Sequence, residues 1–472
     1  MYKLKDSSVI IENQSLPIYD KVDVLVCGGG MAGIAASITA ARRGAKTLLV
    51  ERAGFLGGTA TGALMGLIVI PFKELTGFPL EFFSFLAELG GAAKGEVVPW
   101  DIEAFKYASQ EMVLNAGVNI LFYTICSEPL VKNGCFDGII IENKSGRQAV
   151  LAKVIIDATG DGDIAARGGV PFVKGREKDG AMRPATVMGL LSNVNLYQLK
   201  EWIALHPEDV AQDPRRNILD INSGIIRIDG FFSILERAKQ VGLIDKAMPV
   251  NYLRVNGKFL PQQASHASIV LNSTRVYNID GTNGIDITKA EIEGRRQLWE
   301  VVRICQKMVP GFEYSTLVNT STYIGVRETR RIKGRRILTY NDIANKRKFP
   351  DTVAVMTSLN YGDAEIHSPD YGHEGSINDI WARKMVLDLI KFEFPIDCLL
   401  PPREYKNLIV AGRCASVTHD ADRFTRNMAP VALMGQAAGE LAAIMAQEEE
   451  PDWDKIPIKE LQSRLIATGV IS

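Results

Sequence analysis

No two of the six cysteines (Cys27, Cys126, Cys135, Cys305, Cys398, Cys414) stand in a C-x-x-C pair, which removes the simple zinc, iron–sulfur and dithiol-redox readings. No metal site is therefore expected, and without a disulfide framework a reducing compartment is the default. An excess of charge is lacking too. Lys+Arg 54 against Asp+Glu 55 leaves a formal net charge of -1, too little to mark a nucleic acid or an anionic membrane as partner. The longest apolar stretch, residues 63–72, is interrupted by glycine and is about half of what spans a bilayer. Met1-Tyr2-Lys3-Leu4-Lys5-Asp6 leads into polar sequence with no apolar signal-peptide core. Internal repeats and low-complexity tracts are missing as well. The expectation is a soluble, cytoplasmic protein of about two or three domains, with no membrane or nucleic-acid partner and with homo-oligomerisation left open.

What is present is a nucleotide-binding pattern. Val24-Leu25-Val26-Cys27-Gly28-Gly29-Gly30-Met31-Ala32-Gly33 reads as a buried strand, a glycine turn and the start of a small-residue helix, and Thr47-Leu48-Leu49-Val50-Glu51 as a second strand ending in a carboxylate. Gly28 makes the tight turn, Gly30 lets backbone approach a pyrophosphate, and Gly33 lets helix and strand pack closely. The helix N-terminus offers unpaired N–H groups and a positive dipole end to phosphates. Glu51 stands where a carboxylate accepts ribose hydroxyl protons, and Cys27 is a small core residue of the first strand.

Around this unit, an N-terminal arm carries one strand near residues 8–12, followed by strand 22–27, helix 31–43 and strand 46–51. Gly54-Phe55-Leu56-Gly57-Gly58-Thr59-Ala60-Thr61 follows where a further helix would be usual. Helical periodicity returns over 101–116, then a strand over 118–123. Alternation with turns at Asn133-Gly134 and Lys144-Ser145-Gly146 gives an antiparallel β-meander over about 128–152. Val154–Gly160 and 407–412 are further strands ending in glycine turns, and a long small-residue helix follows over 430–447. The fold class is α/β: a Rossmann-like dinucleotide-binding domain with a central parallel sheet and a β-meander (1–170 and 396–448), a mixed α+β substrate domain (171–395), and a tail (449–472). The three glycine-ended strands converge on one sheet edge if they are parallel neighbours, which is where open α/β sheets bind ligands. The meander and the glycine segment after Glu51 argue for FAD over a nicotinamide cofactor.

These segments resemble a family. The fingerprint, Glu51-Arg52, Gly54–Gly58, Asp157-Ala158-Thr159-Gly160-Asp161-Gly162-Asp163, Gly325-Val326-Arg327-Glu328-Thr329-Arg330-Arg331, 407–413, Thr418-His419-Asp420-Ala421 and Gly435-Gln436-Ala437-Ala438-Gly439 are similar to the bacterial FAD-dependent oxidoreductases of the glutathione-reductase-like superfamily. The branch is the one that carries the fumarate reductase and succinate dehydrogenase flavoproteins. The resemblance implies that Gly28, Gly30, Met31, Ala32 and Gly33 hold the pyrophosphate, Glu51 the adenosine ribose, and Arg52 the adenine side. It implies that Gly57, Gly58, Thr59 and Ala60 run toward the flavin, that Cys126 meets adenine, and that Ala158, Thr159, Gly160 and Asp161 line the cleft. Gly412 and Arg413 then approach the ribityl chain, with Gly435 and Gln436 in the same motif set, and the helix near Pro430 aims at the flavin pyrimidine. The segment Gly57–Thr61 lacks the histidine to which the succinate dehydrogenase branch attaches its flavin, so the FAD is expected to be non-covalent.

The catalytic candidates are His419, His367, Arg327 and Arg426, with His373 as a substitute for His367; His206 and His266 read as surface residues. Arginine grips carboxylate or phosphate bidentately, yet the run Arg327, Arg330, Arg331, Lys333, Arg335, Arg336 reads as a whole as a solvated, ion-paired strand. The expected function is hydride transfer between a carbon of a small polar substrate and flavin N5, with an unknown electron acceptor or donor. Alternatives are an NAD(P)H-dependent flavin monooxygenase, against which the lack of a second GxGxxG counts, and a non-catalytic FAD-binding scaffold.

Overall fold

The architecture grows from one glycine-ended strand and its neighbours. The computed structural model describes residues 15–245, 247–250, 252–360, 369, 388–449 and 451–471, and the backbone of 2–5 and 8–11. Strand β1 (Ile18–Cys27) runs into helix α1 (Met31–Arg42), and β2 (Thr47–Val50) returns beside it. Helix α1 is buried over Met31–Ala40, because its alanines and glycine let sheet and helix close to near-backbone contact. Helix α2 (Gly77–Glu88), which sequence periodicity did not reveal, and helix α3 (Ile102–Asn115) follow. Asp101 caps α3 by accepting from the Ala104 N–H at 2.8 Å.

Strands β3 (Asn119–Leu121), β4 (Ile125–Lys132), β5 (Cys135–Asn143) and β6 (Gly146–Asp157) come next. The meander's last strand and the strand expected over Val154–Gly160 are a single element. The first half of β6 pairs antiparallel with β5, and from Ala149 to Asp157 it pairs parallel with β1. The meander is thus an extension of the central sheet. One face of that sheet (Val24, Val26, Leu49, Val154, Ile156) meets α1, while the other (Leu25, Cys27, Leu48, Val50, Ile155) meets Phe136, Ile139 and Ile164.

The middle of the chain builds a separate six-stranded sheet from β7 (Gly189–Val194), β8 (Asn217–Asp220), β9 (Ile225–Gly230), β10 (Leu253–Lys258), β11 (Ala267–Leu271) and β12 (Thr316–Thr320). Its order is β8-β9-β10-β11-β7-β12, and helix α4 (Gly284–Met308) packs on it through Ala290, Leu298, Val301 and Val302. An antiparallel pair of strands, β13 (Thr352–Asn360) and β14 (Asp388–Pro395), then joins the first core rather than the second, with Val353, Met356, Leu359 and Phe394 buried there. Buried residues from Leu338 onward thus belong to the first core.

Strand β15 (Leu408–Val410) re-enters the central sheet parallel to β6, giving the order β3-β2-β1-β6-β5-β4 with β15 also on β6. Helices α5 (His419–Thr425), α6 (Met428–Gln447) and α7 (Ile458–Ala467) close the chain. Among the described residues α6 is the one helix long and apolar enough to cross a membrane, and 94% of its apolar 18-residue window is buried inside the fold. The tail docks on this core through Trp453, Leu461, Leu465 and Val470.

Helix α6 lies on α1 at backbone distance. A Cβ at Gly435 would meet the Ala32 carbonyl oxygen at 2.1 Å, and one at Gly439 the Ala36 oxygen at 2.4 Å. Gly439→Val should therefore lower stability by about 1–3 kcal/mol through overpacking, seen as a reduced urea midpoint with unchanged slope.

Candidate active site

Cys27 of β1 is level with Asp157 of β6, which is level with Val410 of β15. Their three glycine turns therefore open side by side at the carboxyl edge of parallel strands. Gly28 has φ +103°, and a Cβ there would strike the Ala158 carbonyl oxygen at 2.5 Å; one at Gly33 would sit 1.8 Å from the Gly28 oxygen. At Gly30, by contrast, the nearest atom to a Cβ is Gly58 Cα at 3.9 Å. That position is an open cradle, and Gly30 N-caps α1 without a side-chain bond, so the first N–H groups of the helix face the cavity unpaired.

The buried Glu51 carboxylate accepts the Gly29 N–H at 2.6 Å and the Ala53 N–H at 2.8 Å, one on each oxygen. Each oxygen keeps a further lone pair for a ribose hydroxyl. Burial pushes the Asp157 carboxyl up, and it accepts from Thr159 N–H and Oγ1 and from the N–H groups of Ile164 and Ala165. That set of bonds shapes the second glycine turn. Arg413 donates from Nη2 to Asp161 at 2.6 Å, while its buried Nη1 has no hydrogen-bond partner among the described residues. The cradle at Gly30, the uncapped α1 and this orphaned guanidinium nitrogen fit the phosphate and polar chain of FAD.

A single cavity of about 350 Å³ opens here. Of the residues expected to hold cofactor, Gly28, Gly30, Met31, Ala32, Glu51, Arg52, Gly58, Thr59, Ala158, Thr159, Gly160, Asp161, Gly412 and Arg413 line it, as do Arg327 and Arg426. Others expected there do not. Gly33 is consumed in the turn-to-helix contact. Gly57 ties its loop to the fingerprint through its N–H to Gly29 O at 2.8 Å, and the Ala60 carbonyl accepts from Trp100 Nε1 at 3.2 Å. The Cys126 carbonyl is taken by Arg167 at 3.0 Å. Gly435 serves the contact with Ala32, and Gln436 Oε1 accepts the Phe78 N–H at 2.7 Å. These residues support the cavity from behind.

His419 is also set back from the cavity. It begins α5, and its Nδ1 lies 2.8 Å from Glu328 Oε1; a carboxylate only accepts, so Nδ1 carries the proton. Glu328 is held as well by Arg183, at 3.2 Å, and by Arg331. Arg183 in turn reaches Asp422 at 3.0 Å and the His419 carbonyl at 2.9 Å. Burial alone would raise Glu328, but the His419 hydrogen bond and the two guanidiniums outweigh it and bring its pKa down to about 2. Burial raises Asp422 despite Arg183 and Arg426. His367 and His373 lie outside the described residues, His206 stacks on Trp202 at 4.8 Å, and His266 is exposed.

The arginine run is ion-paired, with Lys333 exposed and Arg330, Arg335 and Arg336 half-buried, but Arg327 and Arg331 are buried. Arg331 is buried and donates to Val417 O and Gly175 O, Arg330 pairs with Asp163 at 2.8 Å, and Arg335 reaches Trp453 O at 2.7 Å. Strand pairing of Arg330–Ile332 with Phe172–Lys174 carries Arg331 inside. Sequence reasoning missed Tyr323, whose hydroxyl donates to Gly58 O at 2.7 Å beneath the Arg52 guanidinium, with burial pushing that hydroxyl up. It also missed Arg227, Arg254, Asn272 and Arg423 on the cavity wall. Arg227 and Arg254 occupy polar positions of alternating strands, a signal that reads as solvent-facing until the sheet is seen to be covered.

Fold and site together define a dinucleotide-binding oxidoreductase with its cofactor at the carboxyl edge of a parallel sheet. The chain belongs to the FAD dependent oxidoreductase family, whose model matches residues 23–465, and FAD is its cofactor. It is 30% identical to the thiamine thiazole synthase of Methanococcus vannielii over 155 residues, 30% of this chain and 56% of that enzyme. It is 31% identical to a tRNA uridine 5-carboxymethylaminomethyl modification enzyme of Wolinella succinogenes over 150 residues, 28% of this chain and 23% of that enzyme. The chain thus spans about half the length of the first relative and less than a quarter of the second. A geranylgeranyl bacteriochlorophyll reductase-like protein from Thermoplasma acidophilum is similar over 96% of this chain and 84% of its own, at 13% identity and a TM-score of 0.47.

Two outcomes are expected. Glu51→Ala, which removes the acceptor of two backbone N–H groups as well as the ribose partner, should weaken FAD retention by about tenfold or more, read by ultrafiltration and flavin fluorescence. Glu328 has a folded pKa of about 2 against an ordinary 4.5, so its contribution to stability is full above pH 4.5 and is lost as pH falls toward 2. Glu328→Gln should therefore unfold at lower urea than the parent at pH 7, with a flatter loss of stability over that acid window.

Proposed function

We propose that the protein moves a hydride between a carbon of a small polar substrate and N5 of a non-covalently held FAD, in the manner of the glutathione-reductase-like superfamily and its fumarate reductase and succinate dehydrogenase branch. One observation carries this reading: a single cavity joins the glycine cradle to a buried polar wall built from β9, β10 and α5. The FAD, when bound, supplies the hydride-accepting or hydride-donating carbon–nitrogen ring; the chain supplies everything around it. The N-terminus of α6 opens into the cavity through Met428, Ala429, Pro430 and Val431, and its N-cap Asn427 makes no side-chain cap. Proline in the first turn removes a donor that the helix would leave unused. The remaining N–H groups and the dipole favour negative charge there, as reduction of the ring requires. Arg327 and Arg426 line the wall and can orient a polar group or hold a proton near it. His419, donating to Glu328, positions α5 and with it Arg423 and Arg426.

The absence of histidine in Gly57–Thr61 supports non-covalent attachment. Balanced charge and the burial of α6 accord with a soluble cytoplasmic enzyme acting on a small molecule, with neither membrane nor nucleic acid as partner. The purified protein should be yellow and should release FAD on acid denaturation. Anaerobic addition of compound pools should bleach the flavin with at least one hydride donor. Bleaching by NADPH alone, followed by oxygen insertion into a substrate, would instead mark a monooxygenase.

A further inference from the structure

The outer face of helix α4 combines two features that a solvated helix rarely joins. Ile285, Ile292 and Trp299 are 67%, 65% and 52% exposed. They recur every seventh residue, so they form one narrow apolar line along the helix. Each is followed four positions on by a cation, Lys289, Arg296 and Arg303, and Arg295 and Lys307 share the exposed face. No exposed position of the helix is acidic, in a chain whose acids and bases are nearly equal in number. Glu291, Glu293 and Glu300 lie half-buried at the flanks, pairing with Arg295 at 3.2 Å and with Arg296 at 2.9 and 2.5 Å. Among the described residues Lys289, Arg303 and Lys307 have no carboxylate within ion-pair distance. The opposite side of the helix already serves the core through Ala290, Leu298, Val301 and Val302.

Exposed isoleucine and tryptophan in a row call for cover, and the charges beside them say by what. A second copy would set cation against cation in either orientation, because the face has no exposed acid to answer them. A bilayer surface asks for a broad apolar face, which a single line of three side chains does not provide. A helix with one apolar residue per heptad and carboxylates beside it meets both the line and the cations. We propose that α4 docks an acidic amphipathic helical segment of another protein. Its apolar side chains would lie on Ile285, Ile292 and Trp299, and its carboxylates on Lys289, Arg303 and Lys307. From Ile285 to Lys307 the contact is about 33 Å long. An open hollow beside Ile285, Thr288 and Lys289 seats one end of the segment. The docked segment borders the cofactor cavity, since Ile287 lines that cavity and Glu291 accepts the Ile324 N–H at 2.6 Å. Docking here is independent of the reaction at the flavin.

The test uses the FAD-loaded, full-length protein and a fluorescently labelled synthetic peptide of about three heptads, with one leucine per heptad and glutamates beside it. A lysine-for-glutamate version and a scrambled version of the same composition are the controls. The glutamate peptide should bind saturably by anisotropy, more weakly as salt rises, and the controls should not. Binding should shift tryptophan emission to the blue, a shift that Trp299→Phe abolishes. Trp299→Ala should weaken the peptide by about tenfold or more, and Arg303→Glu and Lys307→Glu by about threefold or more each. Equal binding of the three peptides, or unchanged affinity in these variants, would overturn the proposal. So would a preference for phosphatidylserine vesicles over the peptide, or concentration-dependent dimers that Trp299→Ala dissociates. If Trp299→Ala does not retain FAD, the two charge reversals and the peptide contrast on the parent decide alone.

Discussion

The contact of α6 with α1 at backbone distance is the constraint on which the rest of the cavity depends. Side chains at Gly435 and Gly439 would overlap Ala32 and Ala36, so the two helices lie closer than any larger pair could. The same small-residue rule operates one layer down, where Gly33 rests on the Gly28 carbonyl. α1 and α6 thus lie side by side on the sheet with almost no side chains between the two helices at the cavity edge. Both helices reach that edge with N-termini that lack side-chain caps. Two sets of unpaired N–H groups and two positive dipole ends therefore face one volume, an arrangement made for anionic groups and for charge that develops during reduction.

The opposite half of the cavity is built on the opposite principle. Where the nucleotide end is shaped by the absence of side chains, the far wall carries long charged ones, buried and shared. Asp229 serves three arginines, and Glu328 serves Arg183, Arg331 and His419. Buried ion pairs contribute little net stability, since desolvation offsets most of the attraction. Hydrophobic residues of the same volume would hold the fold as well. What these pairs do is fix guanidinium positions relative to a cavity, and they leave positive charge facing it.

Local signals made the nucleotide unit legible. The apolar run to Cys27, the glycine spacing, the alanine-rich helix and Glu51 each act within a few residues of one another, and β1, α1 and β2 fall within a few positions of where these signals place them. The shared glycine ending pointed to one sheet edge only if the three strands were parallel neighbours, a condition the pairings of β1, β6 and β15 meet. The unity of β6 was hidden because polar Lys153 and the change of partner at Ala149 interrupt its pattern without interrupting the strand. That β13 and β14 pack on the first core was not legible, because apolar alternation tells which residues are buried, not against what. The arginine run and the pair Arg227 and Arg254 were hidden for the same reason: charge in a strand ordinarily marks solvent, and only tertiary cover reverses it. His419 stood where expected along the chain, yet its orientation was set by Glu328, 91 residues earlier.

One segment keeps the two unlike halves in register. Over 323–331 residues of the segment reach into one half or the other. The Tyr323 hydroxyl is on Gly58 of the nucleotide loop, the Gly325 N–H is on Thr186 beside the second sheet, and Arg327 enters the cavity against Pro184. Glu328 then locks His419 and Arg183, Thr329 donates to Asp161 at 2.8 Å, and Arg330 pairs with Asp163. Asp161 is the same carboxylate that holds Arg413. A displacement of either half must therefore pass through hydrogen bonds that are short and mostly buried. This strap thus helps to set the relative position of the glycine cradle and the arginine wall, together with direct contacts such as Ile225 on Leu67 and Val97 and Arg183 on Asp422. A reaction between a group held at one end and a group held at the other depends on that spacing, since misplacement by about an ångström can cost about a hundredfold in rate. The chemistry of the site thus rests as much on the backbone course of 323–331 as on the fingerprint some 300 residues before it.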